Sequence, residues 1–290
     1  MPDNRTPPPP EPLDYAHRWA QLVNRRRVQM EKANAAAGIR SEDYWSHRAK
    51  TYREALHART DEDPFFLRVR AAVSAETSVL DVGAGTGRHT LALASHVRRI
   101  TAVDPSDAML GFLRQDIAER ALNNVEVVHA EWMNANVEPA DVVICSHVLY
   151  PIADILPFVR KLEAAARSRV FIYLRADPLP TDMGLWSEFH GERLQDQPVH
   201  MDLINVLAQI SIFADTEVVE HRFSWNYATL DEAVAQVRHG LSLRDGDSQA
   251  MEKLRALLQG RLKQLPGGRL GPEIASARSA VISWRPRPQG

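Results

Sequence analysis

The stretch that most constrains this chain runs from 79 to 90, Val-Leu-Asp-Val-Gly-Ala-Gly-Thr-Gly-Arg-His-Thr. An apolar run (Val79, Leu80, Val82) ends in glycines at 83, 85 and 87, and a helical pattern follows at Leu91 and Leu93. That order predicts strand, tight turn, helix. Glycines let backbone approach a ligand where a side chain would collide, and the helix after them offers unpaired N–H groups. The stretch reads as a nucleotide-type site.

The glycine spacing narrows the reading. A loop for the pyrophosphate of a dinucleotide wants G-x-G-x-x-G, and counting from Gly83 the third glycine would fall at 88, which is Arg88. The pattern is D-x-G-x-G-x-G instead, with Asp81 two residues before the first glycine. It resembles motif I of the class I S-adenosylmethionine (SAM) methyltransferases. The resemblance implies that Gly83, Ala84, Gly85, Thr86 and Gly87 pack against the methionine part of SAM, with Asp81 near the sulfonium end.

The whole chain sets bounds. At 290 residues it can bury a substantial core. Its 35 basic and 37 acidic residues give no field that favours nucleic acid or an anionic membrane. Cys145 is the only cysteine, so neither a disulfide framework nor a thiolate metal cluster is expected, and no metal is. No apolar run reaches the ~20 residues that span a bilayer. The N-terminus is polar and proline-rich, unlike a secretory signal. A cytoplasmic protein, monomer or homodimer, is the expectation.

Residues 1–12, with a proline run at 7–10, read as a disordered tail. Residues 13–60 read as a helical extension. Its first helix runs from about Leu13 to Ala37, with Tyr15, Trp19, Leu22, Val23 and Met30 on one stripe and Gly38 as its end. Arg25, Arg26 and Arg27 read as a solvated helix face. A second helix starts near Ser41, and its Trp45, Arg48, Ala49 and Tyr52 share a face. This W-x-x-R-A-x-x-Y arrangement resembles a helix that lids the SAM site in many small-molecule methyltransferases. Asp63 and Pro64 open a third helix, through Val73, that leads into the first strand of a domain over 61–290.

Arg99 to Val103 reads as the second strand, ending at Asp104. That acid lies 19 residues after Gly85, near the ~20-residue offset at which a carboxylate reaches a ribose hydroxyl pair. Pro105 and Ser106 start the next helix, which holds Met109; in the resembled family this residue borders the adenine. The third strand, Val125 to Val128, leads to His129-Ala130-Glu131-Trp132. The family pattern gives Glu131 the adenine amino group, and Trp132 offers a flat face for stacking. Asp141 to Cys145 is apolar throughout, as a central parallel strand should be, and ends in Ser146-His147-Val148-Leu149-Tyr150, which resembles motif IV. A helix with Ile155, Phe158, Val159, Leu162 and Ala166 on one face precedes a fifth strand, Val170 to Leu174. Ser168-Arg169 stands where the family usually has Gly-Gly.

Alternation then stops. Residues 175–200 read as a long loop with a helix turn in which Trp186 and His190 share a face; helix 201–213 follows. Val219, His221, Phe223, Trp225 and Tyr227 alternate as a half-buried strand. Thr229 and Glu232 form a capping box, and another helix runs from about Gln249 to Leu265. Ala280, Ile282 and Trp284 mark the last strand. Segments 175–200 and 229–266 read as acceptor-side insertions.

The resemblance implies an α/β, Rossmann-like seven-stranded sheet with helices on both faces and its last strand antiparallel. It implies SAM as cofactor, with Asp104, Pro105, Met109, Glu131, Trp132, Ser146 and His147 among the residues around it. His147 is the first candidate for a general base, since an imidazole accepts a proton near neutral pH, and Tyr150 for orienting an acceptor. Packing beneath the cofactor is the competing role for His147. Trp45, Tyr52, Arg175, Trp186 and His190 are the candidate acceptor residues, with Asp177 weaker. Three functions stay open: methyl transfer to a small molecule, methyl transfer to RNA or protein, and SAM binding without transfer. The first is preferred, with no nucleic-acid or membrane partner expected.

Overall fold

The computed structural model describes residues 13–39, 62–177, 184–222, 226–244, 246–265, 267–272 and 276–287. The proline-rich start, the helix expected from Ser41 with Trp45 and Tyr52, and Phe223 and Trp225 lie outside the described residues.

Nine strands and nine α-helices are described. The strands are β1 (Ser78–Val82), β2 (Arg99–Asp104), β3 (Val125–His129), β4 (Ala140–Ser146), β5 (Ala166–Arg175), β6 (Asp215–Arg222), β7 (Leu262–Gln264), β8 (Leu270–Pro272) and β9 (Ser276–Trp284). The helices are α1 (Tyr15–Ala37), α2 (Pro64–Ala71), α3 (Arg88–Leu93), α4 (Asp107–Glu119), α5 (Ile155–Ala164), α6 (Trp186–His190), α7 (His200–Gln209), α8 (Leu230–Gly240) and α9 (Ser248–Arg261). Seven strands form one sheet in the order β3-β2-β1-β4-β5-β9-β6, and β7 and β8 form a separate hairpin. Strands β1 to β5 run parallel, while β9 is antiparallel to both neighbours. The seven-stranded, Rossmann-like expectation is met.

Strand periodicity assigns the two faces. Leu80, Val82, Val143, Cys145, Ile172 and Ile282 join one core with Phe158 and Leu162 of α5, Leu203 and Val206 of α7, and Trp19 of α1. Val79, Val142, Ile144, Phe171 and Val281 face the other way, against Phe65, Phe66 and Val69 of α2. The order reverses at β1, whose neighbours are β2 on one side and β4 on the other. The crevice outside the carboxyl ends of β1 and β4 is where such sheets bind ligands.

Several boundaries differ from expectation, each for a local reason. Helix α1 starts at Tyr15 because the Asp14 carboxylate accepts the His17 N–H at 3.0 Å, and it ends in the left-handed Gly38. It is packed into the main core: Trp19 is fully buried and its Nε1 donates to the Ile152 carbonyl at 2.7 Å. Strand β5 begins at Ala166, straight after the α5 C-cap at Ala165, so no glycine turn is needed at 168–169. Strand β6 begins at Asp215 rather than Val219 and is a largely exposed edge. The helix expected to reach Leu265 stops at Arg261, and 262–264 pair with β8. Helix α7 stops at Gln209, leaving Phe213 83% exposed.

Helices α8 and α9, the hairpin and α6 enclose a satellite core around Leu241, Leu254 and Leu258, which Ala33 of α1 also enters. Helix α1 thus spans both cores.

Candidate active site

Turn chemistry builds the glycine loop. The N–H groups of Gly83 and Ala84 both donate to the Val103 carbonyl, at 2.8 and 3.1 Å, which folds the chain back over β2. All three loop glycines have positive φ, between 56° and 84°. They do different work. A Cβ on Gly83 would overlap the Val148 side chain, and one on Gly87 would overlap Leu113 of α4. Gly85 alone has room, with Met109 Cε 3.4 Å from where its Cβ would be. Gly85 and the buried Met109 therefore form the least crowded part of the cradle.

Asp104 closes that cradle. Its carboxylate accepts the Gly85 N–H at 2.9 Å and the Ser106 N–H at 2.8 Å. Burial raises its pKa, and the two N–H bonds oppose the rise. Ser106 caps α4. Pro105 is exposed, and its carbonyl lies 3.0 Å from His129 Nε2. Glu131 is exposed at the end of β3.

Two expected cofactor residues are placed otherwise. Trp132 is 4% exposed and lies in the main core, with the Lys161 ammonium 4.6 Å over its ring and Phe158 edge-on. A ring so enclosed has no face for an adenine. Asp81 is 3% exposed, and its Oδ2 accepts the Thr90 hydroxyl at 2.7 Å, tying β1 to α3. Burial pushes its carboxyl up to about 7. It braces the loop from below. Thr86 is buried as well.

The end of β4 carries the polar cluster. His147 has φ of 58°, a left-handed backbone uncommon for a residue with a side chain and a conformation found at functional sites. Its N–H donates to the Tyr173 carbonyl at 2.8 Å, which holds the strand end in that turn. Its Nδ1 lies 2.8 Å from the Tyr150 hydroxyl, and that hydroxyl accepts the Arg175 N–H at 3.1 Å. Burial, then the positive charge of Arg175, lowers the His147 pKa well below the usual histidine value. The ring is neutral at pH 7 and a weak base, which reverses the expectation of easy protonation. Ser146 bonds His89 Nε2 at 3.1 Å, and burial brings His89 down to about 4.

Sequence reasoning passed over three members of this cluster. His89 packs edge-on to Phe65 with ring centroids 4.9 Å apart, and Tyr173 stacks on Phe65 at 5.0 Å. Arg88 pairs with the buried Asp63 at 2.5 Å, so the residue that breaks the dinucleotide pattern anchors α3 to α2. Its position as the sixth letter of the loop was the available signal.

Trp186 and His190 do not join this site. They stack on each other with centroids 4.0 Å apart, Trp186 is 1% exposed in the satellite core, and His190 Nε2 bonds the Leu241 carbonyl at 2.8 Å. Both are consumed by packing, so the expected acceptor wall from α6 is not formed. Asp177 is engaged with Arg278 at 2.8 Å through both oxygens. No group of His, Cys, Asp and Glu fit for a metal occurs among the described residues, and none of their helices is long and apolar enough to cross a membrane.

The comparisons agree with this geometry. Residues 79–168 match the family model described as "Methyltransferase domain". An uncharacterized protein of Haemophilus influenzae is 29% identical over 150 residues, 51% of this chain and 55% of that protein. The uncharacterized methyltransferase YcgJ of Bacillus subtilis is 27% identical over 165 residues, 56% of this chain and 64% of its own length. A probable ribosomal RNA small subunit methyltransferase A of Methanosphaera stadtmanae is 23% identical over 52% of this chain and 50% of its own. The chain thus spans about half to two thirds of these relatives. The crystal structure of YcgJ superimposes with a TM-score of 0.51 at 13% identity, covering 78% of this chain and 99% of that one.

Fold, loop and match define the class. Residues 79–168 match a methyltransferase domain, and the fold is shared with the YcgJ structure. The residues present suit S-adenosylmethionine, the cofactor that the sequence resemblance implies: a Gly85 that faces only Met109, and one carboxylate, Asp104, at the end of β2, the position from which such sheets reach a ribose.

Proposed function

We propose that the chain transfers a methyl group from SAM to a small-molecule acceptor by direct in-line displacement. The observation that carries this reading is the Asp104–Gly85 contact at the switch point of the sheet, with the His147–Tyr150 pair one strand away at the end of β4. Asp104 would exchange backbone partners for ribose hydroxyls. Gly85 would admit the cofactor's methionine part, and Met109 would border its adenine. Glu131, exposed beside Asp104, is kept for the adenine amino group.

The bound sulfonium supplies an electrophilic methyl group and a neutral thioether leaving group. The protein's share is positioning and exclusion of water. A neutral His147 held by Tyr150 suits orientation of an acceptor better than removal of a proton from a weakly acidic one. A small acceptor is supported by the near-even charge of the chain, 35 basic against 37 acidic residues. The second reading, an RNA acceptor, is favoured by the likeness to the Methanosphaera protein, a probable ribosomal RNA methyltransferase.

Labelled SAM incubated with metabolite extract, with RNA and with protein separates these readings. Label in the small-molecule fraction is expected. Label in RNA alone would reject the preferred acceptor, and no label anywhere would reject transfer.

A further inference from the structure

We infer that Arg175 anchors an anionic group, a carboxylate or a phosphate, on the methyl acceptor; this rests on the methyl-transfer reading and adds a substrate class to it. Arg175 closes β5 at the carboxyl edge of the sheet and is half-buried. Its main-chain N–H holds the Tyr150 hydroxyl, and its guanidinium lies 5.8 Å from the Tyr150 ring centre. The same hydroxyl meets His147 at 2.8 Å. The cation thereby lies beside the His147–Tyr150 pair, at the carboxyl ends of β4 and β5.

Two described acids near this cluster are already committed. Asp63 pairs with Arg88 at 2.5 Å, and Asp177, two residues along the chain, is held by Arg278 through two 2.8 Å bonds. Elsewhere Arg68 has Glu217 and Arg287 has Glu163. Among the described residues no carboxylate pairs with the Arg175 guanidinium. A half-buried cation with no counter-charge among the described residues suits an anionic ligand. The guanidinium fork matches a carboxylate or phosphate through two parallel bonds.

The neighbouring imidazole points the same way. A neutral His147 beside a fixed cation is a poor proton acceptor, so the site favours a molecule that arrives ionised over one that must be deprotonated there. Arg175 acts here as a binding residue, and no bond to it forms or breaks.

The test uses the full chain saturated with S-adenosylhomocysteine, with benzoate and inorganic phosphate as probes, followed by calorimetry. Saturable binding of at least one probe is expected, weakened at least about tenfold in Arg175→Gln and less in Arg175→Lys, which keeps the charge but loses the fork. The contact to Tyr150 is main-chain, so both variants should retain the wild-type Tm. Four results would overturn the inference. One is absence of probe binding to the wild type. A second is equal binding in Arg175→Gln. The third is weaker S-adenosylhomocysteine binding in Arg175→Gln with probe affinity unchanged, which moves the residue to the cofactor's own carboxylate. Arg175-dependent binding of a short oligouridine without either small anion would also overturn it, in favour of RNA. Methyl transfer from labelled SAM is read separately, so a failed reaction with intact Arg175-dependent anion binding counts against the transfer reading alone.

Discussion

The Asp104 carboxylate accepts the N–H of Gly85, 19 residues earlier, at 2.9 Å. The residue set to hold a ribose is therefore also the one that shapes the glycine loop. Asp104→Ala should weaken S-adenosylhomocysteine binding by about 1–3 kcal/mol, the scale of stranded charged hydrogen bonds. It should also lower stability, because the N–H groups of Gly85 and Ser106 lose their acceptor. Asp104→Asn, which keeps one carbonyl acceptor, should recover more of the stability than of the affinity. Calorimetry and urea unfolding on both variants check this; full affinity in Asp104→Ala would remove the ribose contact.

Opposing titrations shape the pH dependence. Burial brings Asp81 up to about 7, so between an unfolded value of ~3.9 and 7 the folded chain keeps a proton that the unfolded chain has lost. Stability from this group falls as pH rises through that window. His89 does the reverse. Its ring is brought down to about 4, so between 4 and ~6.5 the unfolded chain holds the extra proton and stability rises with pH. Asp81→Asn should thus steepen the rise of stability between pH ~4.5 and ~6.5, and His89→Gln should flatten or invert it. Urea midpoints of the cofactor-free protein at a few pH values decide it. Identical slopes in all three proteins would sink the account.

Much of the fold was legible because its signals are local. Val79, Leu80 and Val82 followed by glycines can only be strand then turn, and the apolar run 141–145 reads as a covered parallel strand. What escaped depends on partners far along the chain. Trp132 looks like a stacking platform by position, yet Lys161 and Phe158, on the next helix, enclose it. Trp186 and His190 share a helical face as the spacing implies, but that face meets α8 and α9 rather than a ligand. Spacing tells which residues face together and not what they face. The His147–Tyr150–Arg175 chain was legible as candidates, whereas its linkage through one hydroxyl needed β4 and β5 side by side.

The three loop glycines should fail in distinguishable ways. Gly83→Ala and Gly87→Ala drive a methyl into Val148 and Leu113, an overpacking that costs about 1–3 kcal/mol beyond the strain of positive φ. Gly85→Ala meets only Met109 Cε at 3.4 Å, so it should lose less stability and more cofactor affinity. Val148→Ala should partly rescue Gly83→Ala and leave Gly87→Ala unimproved, a coupling that a double-mutant cycle on unfolding free energy detects. Additive effects of Gly83→Ala and Val148→Ala would mean that the two do not meet.

Helix α1 should prove inseparable from the domain it precedes. Trp19 is fully buried in the main core, and its Nε1 bonds the Ile152 carbonyl, in the loop that carries His147 and Tyr150. Further along the same helix, the Gln29 amide donates to the Arg193 carbonyl at 2.9 Å and accepts the Gln195 N–H at 2.8 Å. One helix thus pins the loop after β4 at one end and the segment before α7 at the other. Trp19→Ala should cost about 3–5 kcal/mol, the range for deleting a buried aromatic side chain. Trp19→Phe keeps most of the ring but leaves the Ile152 carbonyl without its donor, a loss of about 1–3 kcal/mol. Since Ile152 sits two residues from Tyr150, the Phe variant should also lower turnover while leaving the affinity for S-adenosylhomocysteine near wild type, because Gly85 and Asp104 lie in the loop after β1 and at the end of β2 instead. Removing residues 1–57 would uncover the apolar faces of α5 and α7 together and should abolish cooperative unfolding. Unfolding of the truncated chain at the full-length urea midpoint would show that α1 is a detachable extension after all.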